Sequence, residues 1–235
     1  MLAKPQYINA GGRLIDLSIP RVMGIINITP DSFYIGSRAQ SEKSIIETAF
    51  KMVNEGADII DVGGFSSRPG AEEVPVEVEK VRVINAIRLI KKELPDAVIS
   101  VDTFRSEIAY EAVHIAGASI INDISAGEAD KNMFNVVLEL NVPYILMHMQ
   151  GTPATMQANP VYDDVVADIL KWVAPKITFL RSKGLKDLIF DPGFGFGKTI
   201  DHNFEMLLRF SDFSITGLPL LAGVSRKSMI WKTLS

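Results

Sequence analysis

Seven times along the chain a short apolar run stops at polar residues able to do chemistry. The runs end at Asn27, Asp61, Asp102, Asn122-Asp123, His148, Asp191 and Lys227. Buried parallel strands read as short apolar runs with helical patterns between them. The pattern predicts strands over 22–28, 58–62, 97–101, 119–121, 144–147, 188–190 and 218–224. Between them Ile45, Ile46, Ala49, Phe50 and Val53 recur at helical spacing and stop at Gly56. Further helices are predicted over about 76–94, up to Gly117, and over about 132–140, 162–183 and 201–209. A hairpin around Gly11-Gly12 precedes the first strand and is expected to cover the bottom of the core.

In a (β/α)₈ TIM barrel, the loops after the carboxyl ends of the strands build the active site. Asn, Asp, Asp, Asn, Asp and Lys recurring at that position imply one pocket gathered from distant segments. The near-regular β–α spacing favours this α/β barrel over an open, doubly wound sheet. Seven β–α repeats are read as a single domain spanning 1–235, and the last β/α unit of the barrel has no counterpart before Ser235. The expectation is that the natural protein continues, because seven strands left open would expose two unpaired edges. Residues 1–235 alone are expected to aggregate or lack activity.

Composition narrows the function classes. The 235 residues are 47% hydrophobic and 22% charged, enough for a sizeable core. A net charge of −4 gives no general attraction to nucleic acid or an anionic membrane, so an anionic substrate needs locally placed cations. With no Cys, disulfides and thiolate chemistry are excluded. No apolar signal core or membrane-length run is seen, and a cytoplasmic location is expected.

The glycine-rich stretch Asp191-Pro192-Gly193-Phe194-Gly195-Phe196-Gly197-Lys198 is not a phosphate loop, because Pro192 stands where that motif needs glycine. Its two Phe suit an aromatic ligand better than a bare turn. Asp102-Thr103 also reads as a helix N-cap, and Asn122-Asp123 as turn chemistry. Together, Asp102, Asn122 and Asp191 suit a planar heterocycle with amidine- or guanidine-like N–H groups. Ser66-Ser67-Arg68-Pro69-Gly70 is either a solvated turn or an anion grip. Ser225-Arg226-Lys227-Ser228 is the stronger anion or carbonyl site. His114, His148 and His202 lack metal-ligand spacing, whereas Asn27 and Asp31 offer oxygens of the kind magnesium takes beside phosphates. No Ser or Cys nucleophile with a partnering base is visible.

These motifs resemble the dihydropteroate synthase family over nearly the whole chain. The match is carried by 23–33, by Gly63-Gly64-Phe65-Ser66-Ser67-Arg68-Pro69-Gly70, and by Asn122-Asp123-Ile124. It continues through 147–153, the stretch from Asp191 to Lys198, and Ser225-Arg226-Lys227-Ser228, in family order. The resemblance implies a barrel that joins 6-hydroxymethyl-dihydropterin diphosphate to p-aminobenzoate in folate synthesis, with Mg²⁺, as a homodimer and sulfonamide target. It implies that Asp102, Asn122, Asp191 and Lys227 hold the pterin, with Ile124, Met147 and Gly223 lining its slot. Asn27 would meet the diphosphate–Mg²⁺ unit. Ser67 and Arg68 would act on the diphosphate, and Pro69, Phe196, Lys227 and Ser228 would shape the p-aminobenzoate site. Asp102, Asp191, Lys227 and Arg68 would be the catalytic set. Phe65 departs from the acidic residue of many members, and the family's C-terminal Arg-x-His motif is absent. The competing readings are a pterin-dependent methyltransferase domain and a pterin-binding fragment without turnover.

Overall fold

The computed structural model describes residues 6–28, 38–65, 74–153, 155–156, 158–227, 229–230 and 233, with backbone only at 38–41. A hairpin of β1 (Tyr7–Ala10) and β2 (Arg13–Asp16) opens the chain. A parallel sheet follows: β3 (Met23–Asn27), β4 (Ile59–Gly63), β5 (Val98–Asp102), β6 (Ile120–Asp123), β7 (Tyr144–Met147) and β8 (Leu188–Asp191). The intervening helices are α1 (Arg38–Asn54), α2 (Val76–Glu93), α3 (Ser106–Glu111) with a π-turn to Ala116, α4 (Met133–Leu140) and α5 (Val165–Ser182). After β8 come α6 (Ile200–Leu208) and a 3₁₀ helix, Phe210–Thr216.

The sheet order is strictly sequential, β3 to β8, with every pairing parallel. A doubly wound sheet reverses its order at a switch point, so the open-sheet alternative is excluded. Laid flat at ~4.8 Å per strand, six strands would span roughly 24 Å. Residues of all six nevertheless line one pocket, so the sheet is curled as in a barrel. The seventh strand expected over 218–224 is reduced to a bridge. Phe190 donates its N–H to Pro219 O and accepts from Leu221 N–H, each at 2.9 Å. Pro219 has no N–H to give, and Val224 turns its own onto Ala222 O at 3.2 Å, so pairing stops there.

Alternation along the strands sorts residues into an inner and an outer face. Ile60, Val62, Ile99, Val101, Ile121, Leu146 and Phe190 face outward and are buried with the helix residues Val83, Ile87, Ile90, Val137, Ile169 and Leu180. Each such side chain removed from water contributes about 1.5–3 kcal/mol. Facing inward at the bottom, Ile59, Val98, Ile120, Ile145 and Ile189 pack on Ile8, Ala10 and Ile15 of the hairpin. The hairpin thus packs over the amino-terminal end and leaves the carboxyl end open for a site.

Local chemistry fixes where the helices start. Asp164 caps α5 by accepting from Val166 and Ala167 N–H at 3.0 and 2.9 Å, so this helix begins after the expected position 162. Thr199 and His202 form a reciprocal capping box on α6. The first turn of α2 carries Glu77 and Glu79 and its last turn Lys91 and Lys92, matching the helix dipole.

Candidate active site

Two residues above the apolar layer, the inward positions turn polar. Asp61, Ser100, Asn122 and Asp191 stand there beside Ile25 and Met147, with Asn27 and Asp102 one further step up. All but Ser100 line a pocket of about 420 Å³, together with Ile124, Phe196, Gly223 and Lys227. Asp102 is the last residue of β5, and the following helix has Arg105 at its N-cap, so the helix-cap reading of Asp102 is not what the structure shows.

Within the adjacent pair Asn122-Asp123, strand parity sends the two side chains to opposite faces. Asn122 points inward, and its Nδ2 donates to Asp61 Oδ2 at 3.0 Å. Asp123 points outward and is fully buried. It accepts from Tyr144 OH, Ser125 N–H and Oγ, and Gly127 N–H at 2.7–2.8 Å, which locks the β6–α4 turn. The glycine loop divides in the same way. Phe194 is buried against Phe210 (ring centres 5.9 Å apart), while only Phe196 reaches the pocket. Asp191 serves both readings at once, facing the pocket while its Oδ1 accepts Gly193 N–H at 2.7 Å.

The electrostatics are those of charges held out of water. Burial raises Asp191 to about 6, opposed by the Gly193 amide and by Lys227 and Lys198. Burial also raises Asp102 well above the ordinary carboxylate range, reinforced by the nearby charge of Asp61, with Lys227 opposing. Asp61 is raised by burial, with Ser100 and Asn122 opposing. Its Oδ1 and the Ser100 hydroxyl are buried with no well-shaped hydrogen bond, so their contact offsets the burial only in part. Lys227 is lowered by burial and drawn back up by Asp191 and Asp102, and its Nζ lies 4.2 Å from the centre of the Phe196 ring. Two or three carboxylates around one cation can accept a planar row of N–H donors and stabilise positive charge beside it.

The remaining expectations sort by position. Asn122, Ile124, Met147, Asp102, Asp191, Gly223, Phe196 and Lys227 come together in the pocket, with Asn27 at its upper rim. Ser67, Arg68, Pro69, Ser228 and Asp31 lie outside the described residues. His148 is buried, with its Nδ1 3.0 Å from Lys198 Nζ, and burial pushes it down to about 2, so it is neutral. His202 belongs to the α6 cap and His114 stacks on Tyr110. Among the described residues no group of three or more His, Asp or Glu is placed to hold a metal ion. Phe65 packs edge-on against Phe104 (5.2 Å), with the Arg105 guanidinium 5.3 Å from the Phe104 ring, so it serves as an aromatic packing residue. The residue whose role the sequence reading missed is Asp61. It sits two positions before the β4 end, and the i, i+2 rule puts it on the same face as Asp102's neighbour Gly63.

Residues 23–235 match the family described as pterin binding enzyme. Dihydropteroate synthase from Escherichia coli K12 is 45% identical over 228 residues, covering 96% of this chain and 80% of that protein. A solved Xanthomonas albilineans dihydropteroate synthase with 4-aminobenzoic acid superposes with a TM-score of 0.88 at 38% identity, over 98% of this chain and 82% of that one. The same enzyme in complex with 7,8-dihydropteroate gives 0.84 at 37% identity, over 97% and 81%. No helix among the described residues is long and apolar enough to cross a membrane. The chain belongs to the dihydropteroate synthase family of pterin-binding enzymes.

Proposed function

We propose that this chain is a transferase of folate synthesis that condenses 6-hydroxymethyl-7,8-dihydropterin diphosphate with p-aminobenzoate, giving 7,8-dihydropteroate and diphosphate. The observation that carries the reading is the convergence of Asp102, Asn122, Asp191 and Lys227 on one pocket whose wall includes Phe196. The carboxylates and the Asn122 amide hold the guanidine-like edge of the pterin, and Ile124 and Met147 form its apolar slot. The aryl amine nitrogen attacks the pterin methylene carbon, and the C–O bond to diphosphate breaks with its electron pair leaving on oxygen. The amine then gives up a proton. Asp102 and Asp191 stabilise the positive charge that grows on the pterin side. Lys227 lies between the pterin and Phe196, which walls the p-aminobenzoate side. The aryl amine is nucleophilic as it stands, so a strong general base is not required.

Ser67 and Arg68 are assigned to the leaving diphosphate, and Pro69 and Ser228 to the aminobenzoate side. Asn27 fits a magnesium ion of the sort carried mainly by phosphates and water. A β-carbon placed on Gly63 would lie 3.4 Å from Asn27 Oδ1 and 3.1 Å from Asp102 Oδ2, so two oxygen donors point into the same upper corner. Bound there, magnesium neutralises charge on the diphosphate. The reading includes a homodimer working in the cytoplasm. Exposed Leu208, at the end of α6, and Ile215, in the 3₁₀ helix that follows, offer apolar surface for a second copy. Calorimetry with 6-hydroxymethylpterin tests the pocket assignment. Binding should be seen for the wild type and weakened at least about tenfold in Asn122→Ala. Equal affinity in the two proteins would refute it.

A further inference from the structure

We propose that Lys198 is a positioning residue that cross-links the end of β7 to the glycine loop after β8, and so holds Phe196 in the wall of the aminobenzoate side. Lys198 is buried (3% exposed), and its ammonium meets four acceptors from two separate segments. From the β7 end come His148 Nδ1 at 3.0 Å and His148 O at 3.3 Å; from the loop come Gly193 O and Phe196 O, each at 2.9 Å. The two segments are pressed together at just these residues. Gly193 has a φ of +73°, and a β-carbon there would sit 1.9 Å from His148 O. Gly197 has a φ of +65°, and a β-carbon there would sit 2.5 Å from Gln150 O. Backbone carbonyls brought this close without a donor would be an unsatisfied cluster, and a single ammonium resolves it.

The consequence for the site is selective. Asp191 is already fixed without Lys198, because its carbonyl accepts His148 N–H at 3.0 Å and its Oδ1 accepts Gly193 N–H at 2.7 Å. Gly195 N–H donates to Asn203 Oδ1 at 2.6 Å, and Gly197 O accepts from Tyr162 OH at 2.8 Å. Gly193 O and Phe196 O are the loop carbonyls given to Lys198, and Gly193 O also accepts Phe196 N–H at 3.1 Å. Losing the ammonium therefore frees the Phe196 carbonyl and leaves the residue held through its N–H on Gly193 O, which loosens the ring that faces Lys227 while the pterin-side groups stay on their strands.

The inference rests on the proposed condensation, and the test keeps the two apart. Wild type and Lys198→Met are compared for pterin affinity by calorimetry and for the KM of p-aminobenzoate by turnover. Measured at pH 8, where Asp191 stays ionised without the Lys198 charge, the aminobenzoate KM should rise about tenfold or more in Lys198→Met, with pterin affinity changed less than about threefold. In a Phe196→Ala background the same substitution should add little, since the group it positions is gone. Equal losses for both ligands, an unchanged KM, or full additivity with Phe196→Ala would overturn the positioning role. Wild-type protein that binds pterin but never consumes p-aminobenzoate would instead overturn the condensation itself. Should Lys198→Met fail to fold, Lys198→Gln, one atom shorter and with one N–H donor fewer, must show a smaller rise in the aminobenzoate KM with pterin affinity at pH 8 unchanged, and equal losses or no rise count against the proposal.

Discussion

The Lys227 ammonium stands 4.2 Å from the centre of the Phe196 ring, on the side of the pocket where Asp102 and Asp191 counter the burial of its charge. One cation is thus shared by the carboxylates that face the pterin and the aromatic wall of the second substrate. Replacing it with Met leaves buried carboxylates without their counter-charge. Losing a charged hydrogen-bonding partner costs about 1.5–3 kcal/mol, or roughly 10- to 150-fold in kcat/KM. Steady-state kinetics of Lys227→Met should show that loss with both substrates, and near-wild-type values would remove Lys227 from the mechanism.

Asp61 carries a stability cost in the empty protein. Its Oδ1 and the Ser100 hydroxyl are buried with no well-shaped hydrogen bond, and burial raises its pKa. Asp61→Asn removes the buried charge and gives Ser100 a donor to accept from. The melting temperature should rise by about 2–4 °C for each kcal/mol gained, while pterin affinity falls. A variant that melts lower and binds equally well would show Asp61 to be purely structural.

Pterin affinity should depend on pH through Asp191, which sits at about 6 in the free protein. The N–H donors of the ligand favour the carboxylate, so binding below pH 6 must expel a proton. The dissociation constant is expected to rise by up to tenfold per pH unit below 6 through Asp191, with the raised Asp102 adding to the dependence. The sign is opposite for folding. A carboxyl whose folded pKa lies above its unfolded value contributes stability at low pH and loses it as pH rises through the folded value, so the empty protein is weakened by its own site near neutrality. Calorimetry between pH 5 and 8 checks the first effect, and Asp191→Asn should flatten the curve.

Gly193 is required for steric reasons. Alanine there takes on a left-handed φ and places its β-carbon 1.9 Å from the His148 carbonyl, so the loop must move. Gly193→Ala is expected to lower the melting temperature and the turnover rate together. A variant that melts and turns over normally would show that this close approach carries no weight.

Much of this was legible in the chain because strand ends announce themselves. An apolar run ending in Asp102, Asn122 or Asp191 states both the strand and the face that carries the site. The stretch 218–224 is equally apolar yet forms only a bridge, because hydrophobicity reports burial while a strand also needs N–H groups free to pair. Asp123 and Asn122 look alike in sequence, and parity alone separates a turn lock from a pocket residue. The same holds for Phe194 and Phe196. Lys198 was visible in the motif, but its role is set by backbone carbonyls, which leave no trace in residue identities.

The most direct test of the central claim is product formation. The protein purified from expression of its whole gene is given 6-hydroxymethyl-7,8-dihydropterin diphosphate, p-aminobenzoate and Mg²⁺, and 7,8-dihydropteroate is measured by mass spectrometry beside released diphosphate. Dihydropteroate and diphosphate should appear in equal amounts with the wild type, and both should drop at least about a hundredfold with Asp191→Asn combined with Lys227→Met. No dihydropteroate from the wild type, or undiminished product from the double variant, would contradict the assignment of this pocket.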